Sequence, residues 1–144
     1  MILLDVNVLV NAFREASPEH AAYRAWLVAT VEADEPFGLS ELVLSGFVRV
    51  ATHPRVFDPP APVGEALAFV DALRSQPNAV LVAPGARHWA IFERLCVGAG
   101  ARGNLVADAY LAALAIESGC EWITGDRDFS RFPGLRWRHP LADA

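Results

Sequence analysis

Asp5, Glu41, Asp108 and Asp126 are the side chains whose type and spacing point to chemistry. Asp5 closes the apolar opening run Met1-Ile-Leu-Leu4, and Glu41 follows the short run Phe37-Gly-Leu39. Asp108 interrupts an apolar helical stretch, and Asp126 follows Trp122-Ile-Thr-Gly125. A carboxylate in apolar surroundings is costly unless something neutralises it. Four that converge need a metal ion or raised pKa values. With four histidines and two well-separated cysteines, the donor set is mainly hard oxygen. That set suits Mg2+ or Mn2+ and does not suit zinc. Such ions orient water, lower its pKa and stabilise charge on a phosphate. The reaction class that follows is metal-assisted phosphodiester hydrolysis.

The elements that must position these acids alternate in type. Short apolar strands are expected at 2–5, 37–39, 79–82, 121–124 and 136–138. Helices are expected at 7–14, 19–33, 41–52, 63–75, 88–97 and 104–118, with a helical turn at 128–132. Ser40 is placed to cap the helix at 41, Asn104 to cap the helix at 104, and Gly119 to end it. The proline-rich stretch 58–62 is a loop. Strands alternating with helices predict an α/β fold, a parallel sheet covered on both faces. Ligands of such sheets bind beyond the carboxyl ends of the strands. Asp5, Glu41 and Asp126 all fall at or just after such ends. Asp108 lies one turn inside its helix, on the same face as Asn104 four residues earlier.

Composition narrows the class. At 144 residues the chain is expected to form one domain over 1–144, long enough for a real core. Hydrophobic content of 53% and a mean hydropathy of +0.27 fit a compact soluble fold. Its apolar runs are too short to span a bilayer, and no basic segment precedes the first one. A cytoplasmic protein is therefore expected. A net charge of −5 argues against a protein that coats nucleic acid non-specifically, but not against a nuclease with its acids in the site. All twelve basic residues are arginine. The lack of lysine disfavours an aspartyl nucleophile at Asp5, because the known phosphatases and receiver domains of that type use one. Cys96 and Cys120 read as buried free thiols. Gly98-Ala-Gly100-Ala-Arg-Gly103 matches a dinucleotide fingerprint in letters, but follows a helix instead of a strand.

Four segments resemble PIN-domain ribonucleases, above all the VapC toxins of bacterial toxin–antitoxin pairs. They are Asp5-Val-Asn7-Val-Leu-Val-Asn11-Ala, Ser40-Glu41-Leu-Val-Leu-Ser-Gly-Phe-Val-Arg49-Val-Ala-Thr52, Arg102-Gly-Asn104-Leu-Val-Ala-Asp108-Ala and Thr124-Gly-Asp126-Arg-Asp128-Phe129. The likeness runs nearly the whole length, to Phe132-Pro-Gly-Leu-Arg136-Trp137. It implies a three-layer α/β/α fold with a central parallel sheet of four to five short strands. It also implies that Asp5, Glu41, Asp108 and Asp126 hold the metal, with Asp128 as an auxiliary acid and Thr124 and Asn7 in support. Mg2+ or Mn2+, endoribonuclease activity on RNA, a homodimer and a cognate VapB-like antitoxin are further implications. One departure stands out: many members carry Thr or Ser after the first Asp, where this chain has Val6.

Other side chains carry two readings. Arg102 is placed either to contact RNA phosphate or as a plain loop arginine. Arg49 is a substrate contact or a solvated helix charge. His53 and His88 read as turn and cap residues, and Trp26, Trp89 and Phe92 as core or dimer surface. The acidic overall charge and an arginine-free cleft of carboxylates suit an antitoxin arginine entering the site. The alternative to an enzyme is a non-catalytic protein- or RNA-binding module on the same fold.

Overall fold

Three strands begin the parallel sheet: β1 (Ile2–Leu4), β2 (Phe37–Leu39) and β3 (Ala79–Leu81). A computed structural model describes residues 1–142 of the chain; the last two positions of the expected domain lie outside the described residues. Two more strands, β4 (Glu121–Ile123) and β5 (Trp137–Arg138), complete a five-stranded sheet of order β3-β2-β1-β4-β5, parallel throughout. β1 is central and reads apolar because both its faces are covered. Leu3 and Leu4 are fully buried.

Among the described residues six helices cover the sheet: α1 (Val6–Phe13), α2 (His20–Glu32), α3 (Glu41–Ala51), α4 (Val63–Arg74), α5 (His88–Ala99) and α6 (Asn104–Ser118). The chain steps from β1 to β2 to β3 in one direction through α1–α4, then returns past β1 to β4 through α5 and α6. Because crossovers are right-handed, the reversal puts the returning helices on the opposite face. The contacts agree: α1 packs on α2 and α3, α3 on α4, and α5 on α6. Phe13, Phe47 and Phe69 form an aromatic knot between α1, α3 and α4, with ring centroids 5.0–5.3 Å apart. On α6 the alanines Ala109, Ala112, Ala113 and Ala115 are buried, which lets that helix lie close to its neighbours.

Element ends shift by a residue or two from the expectation, as fraying dictates. Three assignments change in substance. Asn104 does not cap α6: Gly103, at φ 56°, holds the cap position, and Asn104 is the first helical residue. Ser40 occupies the cap of α3, but its hydroxyl makes no capping bond. His88 does not cap α5: Arg87 holds that position, and His88 is the first helical residue. It is buried, and its Nε2 lies 2.9 Å from the Tyr110 carbonyl of α6. Cys120 is buried and Cys96 half-buried, both free. The glycines at 100 and 103 have positive φ and join α5 to α6, with no strand before them.

Candidate active site

Strand order reverses between β1 and β4, and ligands of an open parallel sheet usually sit at such a switch point, beyond the carboxyl ends of the strands. Asp5 stands on one side of it and Thr124 and Asp126 on the other. Asp5 also starts α1, where its Oδ1 accepts the Val6 N–H at 2.6 Å. A carboxylate at that position satisfies an orphan amide and complements the helix dipole. The local sequence thus buries Asp5 because the central strand ends where the helix begins.

A polar network fixes the Asp5 carboxylate. Its Oδ2 accepts the Thr124 hydroxyl at 2.7 Å and Asn7 Nδ2 at 3.0 Å. The same Thr124 oxygen accepts Asn7 Nδ2 at 3.1 Å and the Asp126 N–H at 3.0 Å. Asn7 Oδ1 accepts the Gly125 N–H at 2.8 Å, and Asp126 Oδ1 accepts the Asp128 N–H at 2.9 Å. One buried hydroxyl therefore uses its donor and both acceptor positions to tie β1 to β4. Asp126 begins a short 3-10 turn over Arg127–Arg131 that carries Asp128.

Electrostatics brings Asp108 into the same site. Its pKa is pushed up to about 6, first by burial and then by the charges of Asp126 and Asp128. Asp5 is also raised to about 6, mainly by burial, with Asp108 and Asp126 adding to it. The Thr124 and Val6 hydrogen bonds pull Asp5 the other way. Four carboxylates, Asp5, Asp108, Asp126 and Asp128, therefore share one field. Perturbed acids in a crevice mark a functional site more often than chance.

Glu41 stands apart from that set. It is exposed at the start of α3, and its charge is absent from those that raise Asp5 and Asp108. It lines an adjoining cleft of about 810 Å3, with Val6, Arg49, Leu81, Phe92 and Tyr110 among the other walls. Since Val6 directly follows Asp5, the cleft opens beside the acids. It is not free of arginine: Arg49 stands on its wall. Arg102 and Asn104 are exposed at the α5–α6 junction, and neither side chain makes a hydrogen bond or ion pair among the described residues. The one ion pair among those residues, Arg138 with Glu121 at 3.2 Å, is at the other end of the strands.

The donor set fits a hard divalent cation: carboxylate oxygens of raised proton affinity gathered around one crevice. Among the described residues, no three such side chains are close enough to form a finished metal cage. Asp5, Asp108 and Asp126, which influence one another's ionisation, are the side chains that could take part in holding such a cation.

Sequence reasoning passed over Gly125, Tyr23 and His139. A Cβ on Gly125 would lie 2.7 Å from the Tyr23 hydroxyl oxygen and 3.6 Å from His139 Nε2. No periodicity announces such a contact, since the three residues come from distant segments. Val6 has a packing reason of its own: its Cγ2 would lie 3.1 Å from a Cβ on Gly46, so it seals α1 against α3.

Thr124→Val tests the network. Loss of the hydroxyl strands the Asp126 N–H and costs about 1–3 kcal/mol in chemical denaturation. Asp5 should then titrate at higher pH, because the bond that lowers its pKa is gone. The acid limb of any rate profile should move upward with it.

This fold and site define a class: the chain belongs to the PIN-domain family, whose model matches residues 2–135. Within it the chain falls among the VapC ribonucleases. Ribonuclease VapC43 of Mycobacterium tuberculosis is 49% identical over 141 residues, covering 98% of this chain and 96% of the relative. Ribonuclease VapC25 of the same organism is 41% identical, covering 97% and 99%. Solved structures share the fold. VapC20 of M. tuberculosis, described as a toxin that cleaves the sarcin-ricin loop, superposes with TM-score 0.69 at 16% identity, covering 94% of this chain and 99% of that one. VapBC2 from Rickettsia felis, bound to a promoter DNA fragment, gives 0.68 at 18% identity, covering 96% and 98%.

Proposed function

We propose that this protein is a Mg2+- or Mn2+-dependent endoribonuclease, the toxin of a toxin–antitoxin pair. The shared field of Asp5, Asp108, Asp126 and Asp128 at the β1–β4 crevice carries the reading. Asp5 and Asp108 hold the cation, Asp126 and Asp128 extend the site, and Glu41 closes its rim from α3. Thr124 and Asn7 keep Asp5 in place. Arg49 and Arg102 are the candidate contacts to RNA phosphate, with Asn104 at the mouth. When bound, the ion lowers the pKa of water and stabilises charge on the phosphate. The full-length similarity to proteins named ribonucleases supports the activity.

The partners follow from the same relatives. Toxin–antitoxin complexes among the solved structures of this fold support a VapB-like antitoxin. Leu42 and Leu81, half exposed on the apolar cleft, offer it a surface. A homodimer is supported by the exposed Trp89 and Val97 of α5. No helix among the described residues is long and apolar enough to cross a membrane. The cytoplasm is the proposed place of action. The proposed unit of action is a single domain, as expected from the chain length.

The test incubates purified protein with total RNA, with and without EDTA. Fragments that need Mg2+ or Mn2+ support the enzyme. Intact RNA under both conditions overturns it in favour of a binding module. Expression without growth arrest would remove the toxin role while leaving nuclease activity standing.

A further inference from the structure

We propose that Tyr23 and His139 are a positioning pair for the acidic site, acting through the turn at Gly125. The φ of Gly125 is not positive, so its backbone does not demand glycine. Its demand is for room. The position of its absent Cβ lies 2.7 Å from Tyr23 Oη, 3.4 Å from Asn7 Oδ1 and 3.6 Å from His139 Nε2. Groups from α1, from α2 and from the segment after β5 thus converge on one peptide. That peptide donates its N–H to Asn7 Oδ1, and Asn7 Nδ2 in turn holds both Asp5 and Thr124.

The orientation of the pair follows from the hydrogen bonds. His139 Nδ1 accepts the Leu141 N–H at 3.1 Å, so in the neutral ring the proton sits on Nε2. Nε2 then donates to Tyr23 Oη at 3.4 Å. The phenol keeps its own proton to give elsewhere, and burial followed by the nearby Glu19 charge pushes its pKa further up. Tyr23 is only 5% exposed, so its hydroxyl is held against the turn by the core beneath it. A ring-edge contact between Tyr23 and His139, centroids 6.0 Å apart, completes the clamp. Loosening it frees Gly125, then Asn7, then the Asp5 carboxylate.

The proposal rests on the nuclease reading for its rate consequence only. Tyr23→Phe keeps the ring and removes the hydroxyl; His139→Ala removes the donor; His139→Gln restores an amide donor. The first readout is hydrogen exchange at the Gly125 amide in metal-free protein. Tyr23→Phe and His139→Ala should exchange there roughly 5-fold faster, the value of about one neutral hydrogen bond, with β1 and β4 amides unchanged. The second readout is RNA cleavage at saturating Mg2+. Here kcat should fall about 10-fold, as for loss of a group supporting a metal ligand, with KM within about twofold. His139→Gln should recover most of both. Unchanged exchange at Gly125, or an equal increase at every core amide, overturns the proposal. Should the unaltered protein leave RNA intact, the nuclease reading fails, and the exchange measurement still decides the clamp.

Discussion

Asp108→Asn should slow metal-dependent RNA cleavage by about 1,000-fold, the scale seen when one charge-stabilising group is removed from an active site. The substitution keeps size and shape but removes an acid that shares its field with Asp126 and Asp128. Asp108 makes no hydrogen bond that the change would break among the described residues, so the fold should survive it. Metal-free Asp108→Asn should in fact melt higher than the parent at pH 7.5, because the like-charge repulsion is relieved. Rates on a defined RNA, with an EDTA control, and a thermal melt check the two halves. Cleavage at the parent's rate would remove Asp108 from the chemistry and point to a contaminating nuclease. A lower melting temperature would show that the acid serves the fold instead.

The stabilisation that Mg2+ confers should depend on pH. At pH 7.5 Asp5 and Asp108 should be ionised and available to the proposed cation; at tenfold excess over Kd, linkage gives about 1.4 kcal/mol. That is roughly 4–5 °C for a chain of this size. Burial and neighbouring charges raise the folded-state pKa values of Asp5 and Asp108 from the ordinary aspartate range to about 6. Their folded forms bind protons more tightly than their unfolded forms. Without metal, their contribution to stability therefore falls as pH rises from about 4 to about 6, and is lost above that. With metal, protons compete for the same oxygens below about pH 6. The shift should accordingly be large at pH 7.5 and nearly absent at pH 5, and Asp5→Asn should shrink it at the higher pH. An equal shift at both pH values, unaffected by Asp5→Asn, would place the cation elsewhere.

Much of the positioning was legible in the chain. The run Met1-Ile-Leu-Leu4 reads as a buried strand because no polar residue interrupts it, and Asp5 stands where the run stops. Phe37-Gly-Leu39 and Trp122-Ile-Thr-Gly125 read the same way. Parallel strands then forced three acids to one edge of the sheet. Local spacing was less able to settle capping, which depends on the φ of a single residue. Gly103 rather than Asn104 holds the cap of α6 for that reason. His88 reads as a cap residue but is the buried first residue of its helix, because α6 lies over it with its Tyr110 carbonyl ready to accept.

Residue type and order by themselves determined the sheet, its helices and the family, and singled out Asp5, Glu41, Asp108 and Asp126 as candidate hard-oxygen donors. Those are properties of short segments, set by period, apolar runs and the donor atoms each side chain carries. Only the tertiary structure decided which acids feel one another. Asp128 joined the field of Asp108, while Glu41 went to the rim of a neighbouring cleft. It alone revealed that Thr124 spends its whole hydrogen-bonding capacity on Asp5, Asn7 and Asp126, and that Tyr23 fills the space a side chain at 125 would need. The physical reason is range. Charge, burial and close approach act through space over a few ångströms, between residues more than a hundred positions apart in the chain.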